Sequence, residues 1–286
     1  MTAGARPVVA AAVTFLFVPG DRPDRFGKAA AAGADVVIID LEDAVIEGHK
    51  EEALHAAVRH LAPAADDQLR AMVRVNALGS AWSTVELEAL QALVQQPAHG
   101  LTGVLVPKAD DPQRVTELAA SLAAAAATPV AVVALVESAG GVERVAELAG
   151  SPGVTRLGLG EIDLALDLGC GADAAAVAYA RGRIVLACRA AGRPAPIASP
   201  SVEIRDLDAV AAAARLNRRD GFGGQLCIHP AQLDRVRAAF APTAEEVGWA
   251  QSIVDVDADG GAAQVDGRMI DRPMVERARS ILHHAT

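Results

Sequence analysis

Residues 34–45 read ADVVIIDLEDAV, an apolar run that stops abruptly at three carboxylates. Residues 36–39 are β-branched and apolar, which indicates a strand buried on both of its faces. Asp40, Glu42 and Asp43 follow within four residues, and crowded like charges are costly to bury without a partner. This stretch therefore predicts a buried parallel strand that ends at a functional site.

The same unit recurs along the chain as a short apolar strand, a polar loop and an alanine-rich helix with 3.6-residue periodicity. Alternating strands and helices predict a parallel sheet, and eight units in about 230 residues fit an α/β fold of the (β/α)8 TIM barrel type. An open doubly wound sheet is the alternative, but no GxGxxG motif follows the first strand. The eight strand candidates are 14–18, 35–40, 71–75, 103–107, 129–136, 154–159, 195–199 and 224–229.

Prolines weaken the prediction for one strand, and aspartates support the predicted starts of two helices. Pro194 and Pro196 disfavour the seventh strand, because proline cannot donate a hydrogen bond to a neighbouring strand. Asp111 and Asp206 stand near the starts of predicted helices, where an aspartate commonly caps the first turn.

The alternation ends after residue 242. Residues 243–256 predict a helix, Asp266-Gly267 between short apolar pairs predicts a hairpin, and 274–285 predict a last helix. We therefore predict a barrel domain over 1–242. Residues 243–286 would form a small C-terminal helix–hairpin–helix lid or oligomerisation segment, too small to fold alone.

Composition narrows the class of protein. The formal net charge of −10 argues against a nucleic acid or an anionic membrane as the partner. Three cysteines, Cys170, Cys188 and Cys227, are widely spaced and suit small apolar residues in a reducing cytosol. The apolar N-terminal run leads directly into the first strand and does not favour a signal peptide. We expect a cytoplasmic protein without a membrane span.

The carboxyl ends of all eight strands of such a barrel meet around one mouth. Polar and charged residues follow seven of the predicted strands, and convergent carboxylates there require a cation. Mg²⁺ suits oxygen ligands, whereas no Cys/His cluster supports zinc. The residues concerned are Asp21, Arg22, Asp40, Glu42, Asp43, Arg74, Asn76, Lys108, Glu137, Glu161, Asp163 and His229.

Glu137 and Asp163 are the predicted metal ligands, because they follow adjacent and fully apolar strands. The carboxylates after the second strand would then bind metal-bound water or orient a basic residue. Any single carboxylate is more readily explained as a helix cap, but caps need not converge on one mouth. Arg74 stands inside an apolar strand, where an unpaired guanidinium would be costly. Lys108 and His229 also have ordinary explanations, as a solvated lysine and a turn residue.

Eight motifs together carry a family resemblance: LFVPGDRPDRF, DVVIIDLEDAV, VRVN, VLVPKA, ALVESAGGV, GLGEIDLALDLG, CIHPAQL and VDGRMIDRPMVERA. Their order and spacing resemble the citrate lyase β-subunit family, a group that includes malyl-CoA and citramalyl-CoA lyases. The resemblance covers about residues 14–283. Three positions depart from the family pattern, Leu54, Ala198 and Gln225, and they leave the contacts to substrate and CoA open.

The resemblance implies a (β/α)8 barrel that holds Mg²⁺ on Glu137 and Asp163, with Arg74 on the substrate. It also implies that Glu42 and Asp43 lie near the water shell of the metal. Homotrimers or hexamers are expected, and Asp271 would enter the active site of a neighbouring subunit. Arg22 and Lys108, on the same rim, are the further predicted substrate-binding residues.

The expected enzyme is a Mg²⁺-dependent lyase that cleaves a β-hydroxyacyl thioester into an acetyl thioester and a 2-oxo acid. Arg74, Asp271 and Glu42 are its predicted catalytic residues. Alternatives are a subunit of a citrate lyase complex acting on an acyl-carrier thioester, an aldolase on free hydroxy-oxo acids, and a non-catalytic oxo-acid-binding subunit. Citryl, malyl and citramalyl groups differ by one small substituent, so the sequence does not identify the acid.

Overall fold

The structure, a computed structural model, describes residues 4–63, 65–258, 264–265 and 268–285. The chain forms two compact units, Met1–Val236 and Arg237–Thr286. Within the described ranges, no helix combines the length and apolar content that crossing a bilayer requires.

The first unit is a closed barrel of eight parallel strands in sequential order, which confirms the predicted TIM barrel. All eight predicted strands form, and the seventh is reduced to two residues, as its flanking prolines suggest. The strands are β1 (Thr14–Pro19), β2 (Val36–Asp40), β3 (Ala71–Arg74), β4 (Leu101–Val106), β5 (Ala131–Val136), β6 (Arg156–Leu159), β7 (Ile197–Ala198) and β8 (Gly224–Cys227).

The strand register places the predicted site residues at one end of the barrel. Asp40, the last residue of β2, pairs with Pro19 of β1 and with Arg74 of β3. The inside of the barrel below this rim is packed with apolar side chains, including Phe15, Ile38 and residues of β5. The barrel is therefore a solid core with its polar groups at the mouth.

Helices surround the strands and pack against them. The predicted caps are present, since Asp111 accepts from the backbone N–H groups of Gln113 and Arg114, and Asp206 accepts from that of Ala209. The helices of this unit are α1 (Ala5–Ala11), α2 (Phe26–Ala31), α3 (Lys50–Leu61), α4 (Ala81–Val94), α5 (Pro112–Ala125), α6 (Ala139–Glu143), α7 (Val145–Gly150), α8 (Glu161–Asp167), α9 (Ala175–Ala190), α10 (Leu207–Arg219) and α11 (Leu233–Phe240), whose last residues belong to the second unit.

The N-terminal helix α1 was not predicted. It is joined to the barrel by Arg156 of β6, which is buried and donates to the carbonyl oxygens of Ala12, at 2.6 Å, and Ala195, at 2.6 Å. Burial without a carboxylate in these contacts lowers the pKa of Arg156 to about 10. A buried arginine thus fastens α1 to the end of the barrel opposite the mouth.

The second unit contains α12 (Ala244–Ala258), the strands β9 (Gln264–Val265) and β10 (Arg268–Met269), and α13 (Arg272–Ala285). The two strands pair antiparallel, as expected for a hairpin, while the predicted Asp266-Gly267 turn lies outside the described residues. Apolar side chains of the two helices form the core of this unit.

Candidate active site

The carboxylates after β2 are organised around Arg74. Its guanidinium donates to both oxygens of Asp40, from Nε at 2.7 Å and from Nη2 at 2.6 Å. The same guanidinium stacks on the Phe17 ring, 4.8 Å from its centroid. A bidentate ion pair with a stacked ring fixes the orientation of the guanidinium, which a lysine could not reproduce.

The remaining nitrogen of Arg74 lies near two more carboxylates. Its Nη1 is 3.1 Å from Glu42 Oε2 and 3.3 Å from Asp43 Oδ2. Burial disfavours the charged guanidinium, but Asp40 outweighs this effect, with help from Glu42 and Asp43, and raises the pKa of Arg74. Arg74 is therefore a permanent cation, and it is the group that the carboxylates of Asp40, Glu42 and Asp43 surround.

Glu42 is buried behind the wall of the mouth. Its Oε1 accepts a hydrogen bond of 2.5 Å from Lys108 Nζ, while its Oε2 makes no aligned hydrogen bond to the described residues. Burial raises the pKa of Glu42 despite the cations Arg74 and Lys108 beside it. A buried carboxylate with a raised pKa and with one oxygen that accepts no aligned hydrogen bond is suited to accept a proton.

Lys108 joins the two sides of the mouth. It has a left-handed backbone conformation with a φ of 45°, and its N–H donates to Glu137 Oε1 at 2.8 Å. Glu42 raises the pKa of the Lys108 ammonium although partial burial opposes the charged form. A left-handed non-glycine residue is strained, and such strain often occurs at functional sites.

Glu137, after β5, is almost completely buried and lies against Gly160, where an added Cβ would be only 2.4 Å from Glu137 Oε2. Burial raises the pKa of Glu137 to about 8, and the negative charges of Glu42 and Asp163 add to this effect. Glycine at position 160 thus makes room for a carboxylate that carries an unfavourable charge.

Asp163 lies in the first turn of α8, directly after β6. Its neighbour Glu161 is held by an ion pair with Arg181 of α9, and its backbone N–H donates to Ser199 Oγ at 2.5 Å. Arg181 also donates to Asp220 at 3.0 Å. These contacts anchor the start of α8 and occupy Glu161, so the helix presents Asp163 to the mouth.

A cavity of about 350 Å³ opens between these groups. Asp40, Asp43, Arg74, Glu137 and Asp163 line it, above an apolar floor. The residues of that floor are Phe17, Leu135 and Leu226.

Several predicted site residues lie outside the cavity lining. Glu42 is buried, and Lys108, whose side chain is exposed, donates to it from outside the lining. Arg22 is exposed and forms an ion pair of 2.8 Å with Asp24. His229 is exposed and its Nδ1 accepts from the N–H of Ala231 at 3.2 Å, so it caps a turn.

Asp271 belongs to the second unit. Its Oδ1 accepts from the N–H of Met274 at 3.0 Å, which caps α13. In this structure Asp271 is therefore the N-cap of α13.

The donors at the β5–β6 side suit a hard divalent cation. No three His, Cys, Asp or Glu side chains among the described residues form a ready-made cage. Mg²⁺, however, is usually bound by one or two carboxylates together with water or substrate oxygens. Glu137 and Asp163 supply two oxygen ligands, and the raised pKa of Glu137 records that positive charge is lacking there. The residues therefore fit magnesium.

A buried hydrogen-bond network lies beneath the loop that carries Glu42, and it was not predicted from the sequence. Lys50, Asn76 and Glu86 form it, and all three are buried. One signal was available, because a lysine in the first turn of a helix opposes the helix dipole and requires a local reason.

Comparison with known proteins places this site in context. Residues 13–230 match the family model described as HpcH/HpaI aldolase/citrate lyase. A citrate lyase subunit beta-like protein of Mycobacterium tuberculosis is 37% identical over 284 residues, which are 96% of each chain. A (3S)-malyl-CoA thioesterase of Cereibacter sphaeroides is 31% identical over 277 residues, 94% of this chain and 93% of that protein.

The fold also matches a solved structure of the CitE protein of Mycobacterium tuberculosis in complex with magnesium, acetoacetate and coenzyme A. The TM-score is 0.81 at 36% identity, over 96% of this chain and 98% of that chain. A citrate lyase beta subunit of the same organism, complexed with oxaloacetate and magnesium, matches with a TM-score of 0.68 at 36% identity, over 82% and 99% of the two chains. The chain belongs to the HpcH/HpaI aldolase/citrate lyase family.

Proposed function

We propose that this protein is a Mg²⁺-dependent carbon–carbon lyase that cleaves a β-hydroxyacyl thioester into an acetyl thioester and a 2-oxo acid. The observation that carries the proposal is that Glu137, Asp163 and Arg74 share one cavity. Related proteins bind magnesium together with oxaloacetate, or with acetoacetate and coenzyme A, which supports this choice of cofactor and substrate.

Glu137 and Asp163 would hold the Mg²⁺ ion, which would bind the hydroxy-acid end of the substrate. When bound, the ion supplies Lewis acidity, which lowers the pKa of the substrate hydroxyl. Lys108 keeps Glu137 in place through its backbone N–H. The apolar floor of the cavity would exclude water from beneath the substrate.

Arg74 would stabilise the negative charge that develops as the substrate hydroxyl loses its proton and the carbon–carbon bond breaks. Its guanidinium is already oriented by the two hydrogen bonds to Asp40, so no reorganisation is needed when the charge appears. Asp43, on the cavity wall, completes this part of the substrate site.

Glu42 is the proposed proton acceptor. Its Oε2 lies 3.1 Å from Nη1 of Arg74, the residue that would contact the substrate. As the hydroxyl proton leaves, the carbon–carbon bond breaks, and its electron pair passes to the carbon of the acetyl thioester. Asp271 of a neighbouring subunit would protonate that carbon.

The proposal also includes an assembly and a carrier. A shared site requires a homo-oligomer, either a trimer or a hexamer, in the cytoplasm. Arg22, exposed on the loop after β1, and Lys108 would bind the anionic part of the acyl thioester.

To test this, purified protein is incubated with malyl-CoA, citramalyl-CoA or citryl-CoA in the presence of Mg²⁺ or EDTA. The products are identified and quantified by mass spectrometry. Equal amounts of acetyl-CoA and oxo acid, formed only with Mg²⁺, are expected. A Glu137→Ala variant should be inactive. A Glu117→Ala variant, which removes an exposed glutamate of α5, should retain full activity.

Other products would assign the protein to another class. Free CoA with intact hydroxy acid would show a thioesterase, the activity named for the Cereibacter relative. Turnover of free hydroxy-oxo acids would show an aldolase, and activity restricted to acyl-carrier thioesters would show a citrate lyase subunit. Oxo-acid binding without turnover of any substrate would show a binding subunit.

A further inference from the structure

Lys50 is a buried lysine whose charge serves no group in the cavity. Its Nζ donates three hydrogen bonds of 2.8 Å, to the carbonyl oxygens of Leu41 and Glu42 and to Asn76 Oδ1. An ammonium group has three protons, so each is used. Two of the three hold the main chain of the loop that carries Glu42.

Asn76 links this lysine to a buried carboxylate. Its Nδ2 donates to the Leu41 carbonyl at 2.9 Å and to Glu86 Oε1 at 2.5 Å, and its backbone N–H donates to Glu86 Oε2 at 2.7 Å. Burial raises the pKa of Glu86, although the bonds from Asn76 and the charge of Lys50 oppose the increase. The counter-charge of Lys50 is therefore the Glu86 carboxylate, and the side-chain amide of Asn76 lies between the two.

A buried ionic network has a high desolvation cost. Two charges lose their hydration when they are buried, and apolar residues of similar volume often stabilise a fold equally well. A geometric function would explain why the charges are present. The geometry they fix is that of Leu41 and Glu42, because the Leu41 carbonyl accepts from both Lys50 and Asn76.

Glu42 is the residue to which this geometry matters most. Its carboxylate must meet Lys108 Nζ at 2.5 Å while its other oxygen stays 3.1 Å from Arg74 Nη1. A change in the backbone at Glu42 would move both oxygens away from these partners. We propose that Lys50, Asn76 and Glu86 are positioning residues that fix the Glu42 carboxylate between Arg74 and Lys108.

The kinetic test rests on the proposed lyase function and uses a double-mutant cycle. Lys50→Met should lower kcat/KM for the thioester by about 10- to 100-fold, the range of coupling between contacting residues. In a Glu42→Gln background the same substitution should change kcat/KM less than about twofold, because the residue it positions has already lost its function. Lys28→Met, at an exposed lysine of α2, is the control and should have no effect in either background.

Glu86→Gln provides a second variant that keeps the shape of the network. It leaves Lys50 without its counter-charge and should lower kcat/KM in the same direction, again only when Glu42 is present. An equal loss in both backgrounds, for either variant, would mean that the network merely supports the fold and would overturn the proposal.

A crystal structure of Lys50→Met beside that of the wild type gives a readout that does not depend on activity. We expect the Glu42 carbonyl to turn and the contact between Glu42 and Lys108 to be lost. A Glu42 carboxylate that stays in place would overturn the positioning role, even if the wild type cleaves no thioester. Absence of turnover by the wild type would instead count against the proposed lyase function alone.

Discussion

The two sides of the barrel mouth carry the same kind of side chain in opposite electrostatic situations. On the β2–β3 side, Asp40 is bound by Arg74 through two hydrogen bonds. On the β5–β6 side, the one hydrogen bond that Glu137 accepts from the described residues comes from a backbone N–H at 2.8 Å, and the Lys108 ammonium is 4.0 Å away and donates to Glu42 instead. One side is neutralised by the chain itself, whereas the other retains an unfavourable negative charge.

This difference separates scaffold from binding site. A carboxylate paired within the chain orients its partner and has no need of an ion from solution. A buried carboxylate whose pKa is raised to about 8 gains stability from any cation that binds it. The β5–β6 side is therefore where the metal is expected, and the β2–β3 side is where the substrate meets fixed charge.

The largest expected effect follows from removing the carboxylates on the β5–β6 side, which no side chain of the described residues neutralises through a hydrogen bond. Glu137→Ala or Asp163→Ala should reduce Mg²⁺-dependent cleavage by about 1,000-fold or more, since the ion contributes several kcal/mol to transition-state stabilisation. Assays over a range of Mg²⁺ concentrations, together with calorimetric Mg²⁺ binding, measure this. Near-normal activity at limiting Mg²⁺ would show that the residue changed is not a ligand.

On the opposite side, Arg74→Lys should lower kcat/KM by about 100-fold, because an ammonium group cannot make the two parallel bonds of a guanidinium. The matched control is Arg114→Lys, which changes an exposed arginine paired with Asp111 at 3.6 Å. Equal kinetics in wild type and Arg74→Lys would contradict the role proposed for the paired side.

The next carboxylate to test, Asp271, belongs to the second unit. Asp271→Asn should lower kcat by about 100-fold, the scale of general acid–base catalysis, while asparagine still caps α13. Mixing this variant with Asp163→Ala under conditions of subunit exchange should restore part of the activity, because hybrid oligomers combine an intact barrel with an intact tail. If proven exchange restores nothing, the site is not shared in this way.

The smallest effect concerns His99, at the N-terminal end of β4, whose ring nitrogens are buried without a hydrogen-bond partner in the described part of the chain. Burial, together with nearby Arg70, lowers the pKa of His99. The imidazole of His99 is neutral once it has lost its proton, so the buried ring needs no ion. In this it differs from the carboxylate of Glu137, which becomes charged when it loses its proton. As the pH falls below about 6.5, the unfolded chain takes up a proton that the folded chain does not, so stability decreases.

Urea unfolding of wild type and His99→Leu between pH 5 and pH 8 measures this effect. The wild type should lose stability more steeply on the acid side, by an amount that corresponds to at most one proton. Parallel pH profiles for the two proteins would rule out the contribution of His99.

The barrel could be predicted from the sequence, because strands buried on both faces are uniformly apolar. The prolines around β7 also indicated correctly that this strand is weak, since it is only two residues long. The sequence also placed Arg74, Glu137 and Asp163 at one rim, since parallel strand ends must converge. It could not predict that Glu42 is buried while Asp43 lines the cavity. The two residues are adjacent and chemically alike, and they are distinguished by contacts from distant residues, such as the hydrogen bonds of Lys50 to the loop and of Lys108 to Glu42.

Contacts that the apolar periodicity of the sequence does not reveal explain the other differences. The ion pair of Arg22 with Asp24 competes with a role at the mouth, and no periodicity in the sequence reveals that choice. The attachment of α1 depends on Arg156, more than 140 residues away, whose partners are main-chain carbonyls that carry no residue-specific signal.

The left-handed backbone of Lys108 has a consequence for directed evolution. Glycine adopts this conformation freely, so Lys108→Gly would relieve strain of about 1 kcal/mol at this position. The same replacement removes the ammonium that binds the buried Glu42, so relief of backbone strain and loss of this contact oppose each other in stability, while the site loses a charged group in either case. Stabilisation of this enzyme should therefore be selected together with turnover, with position 108 excluded from randomisation.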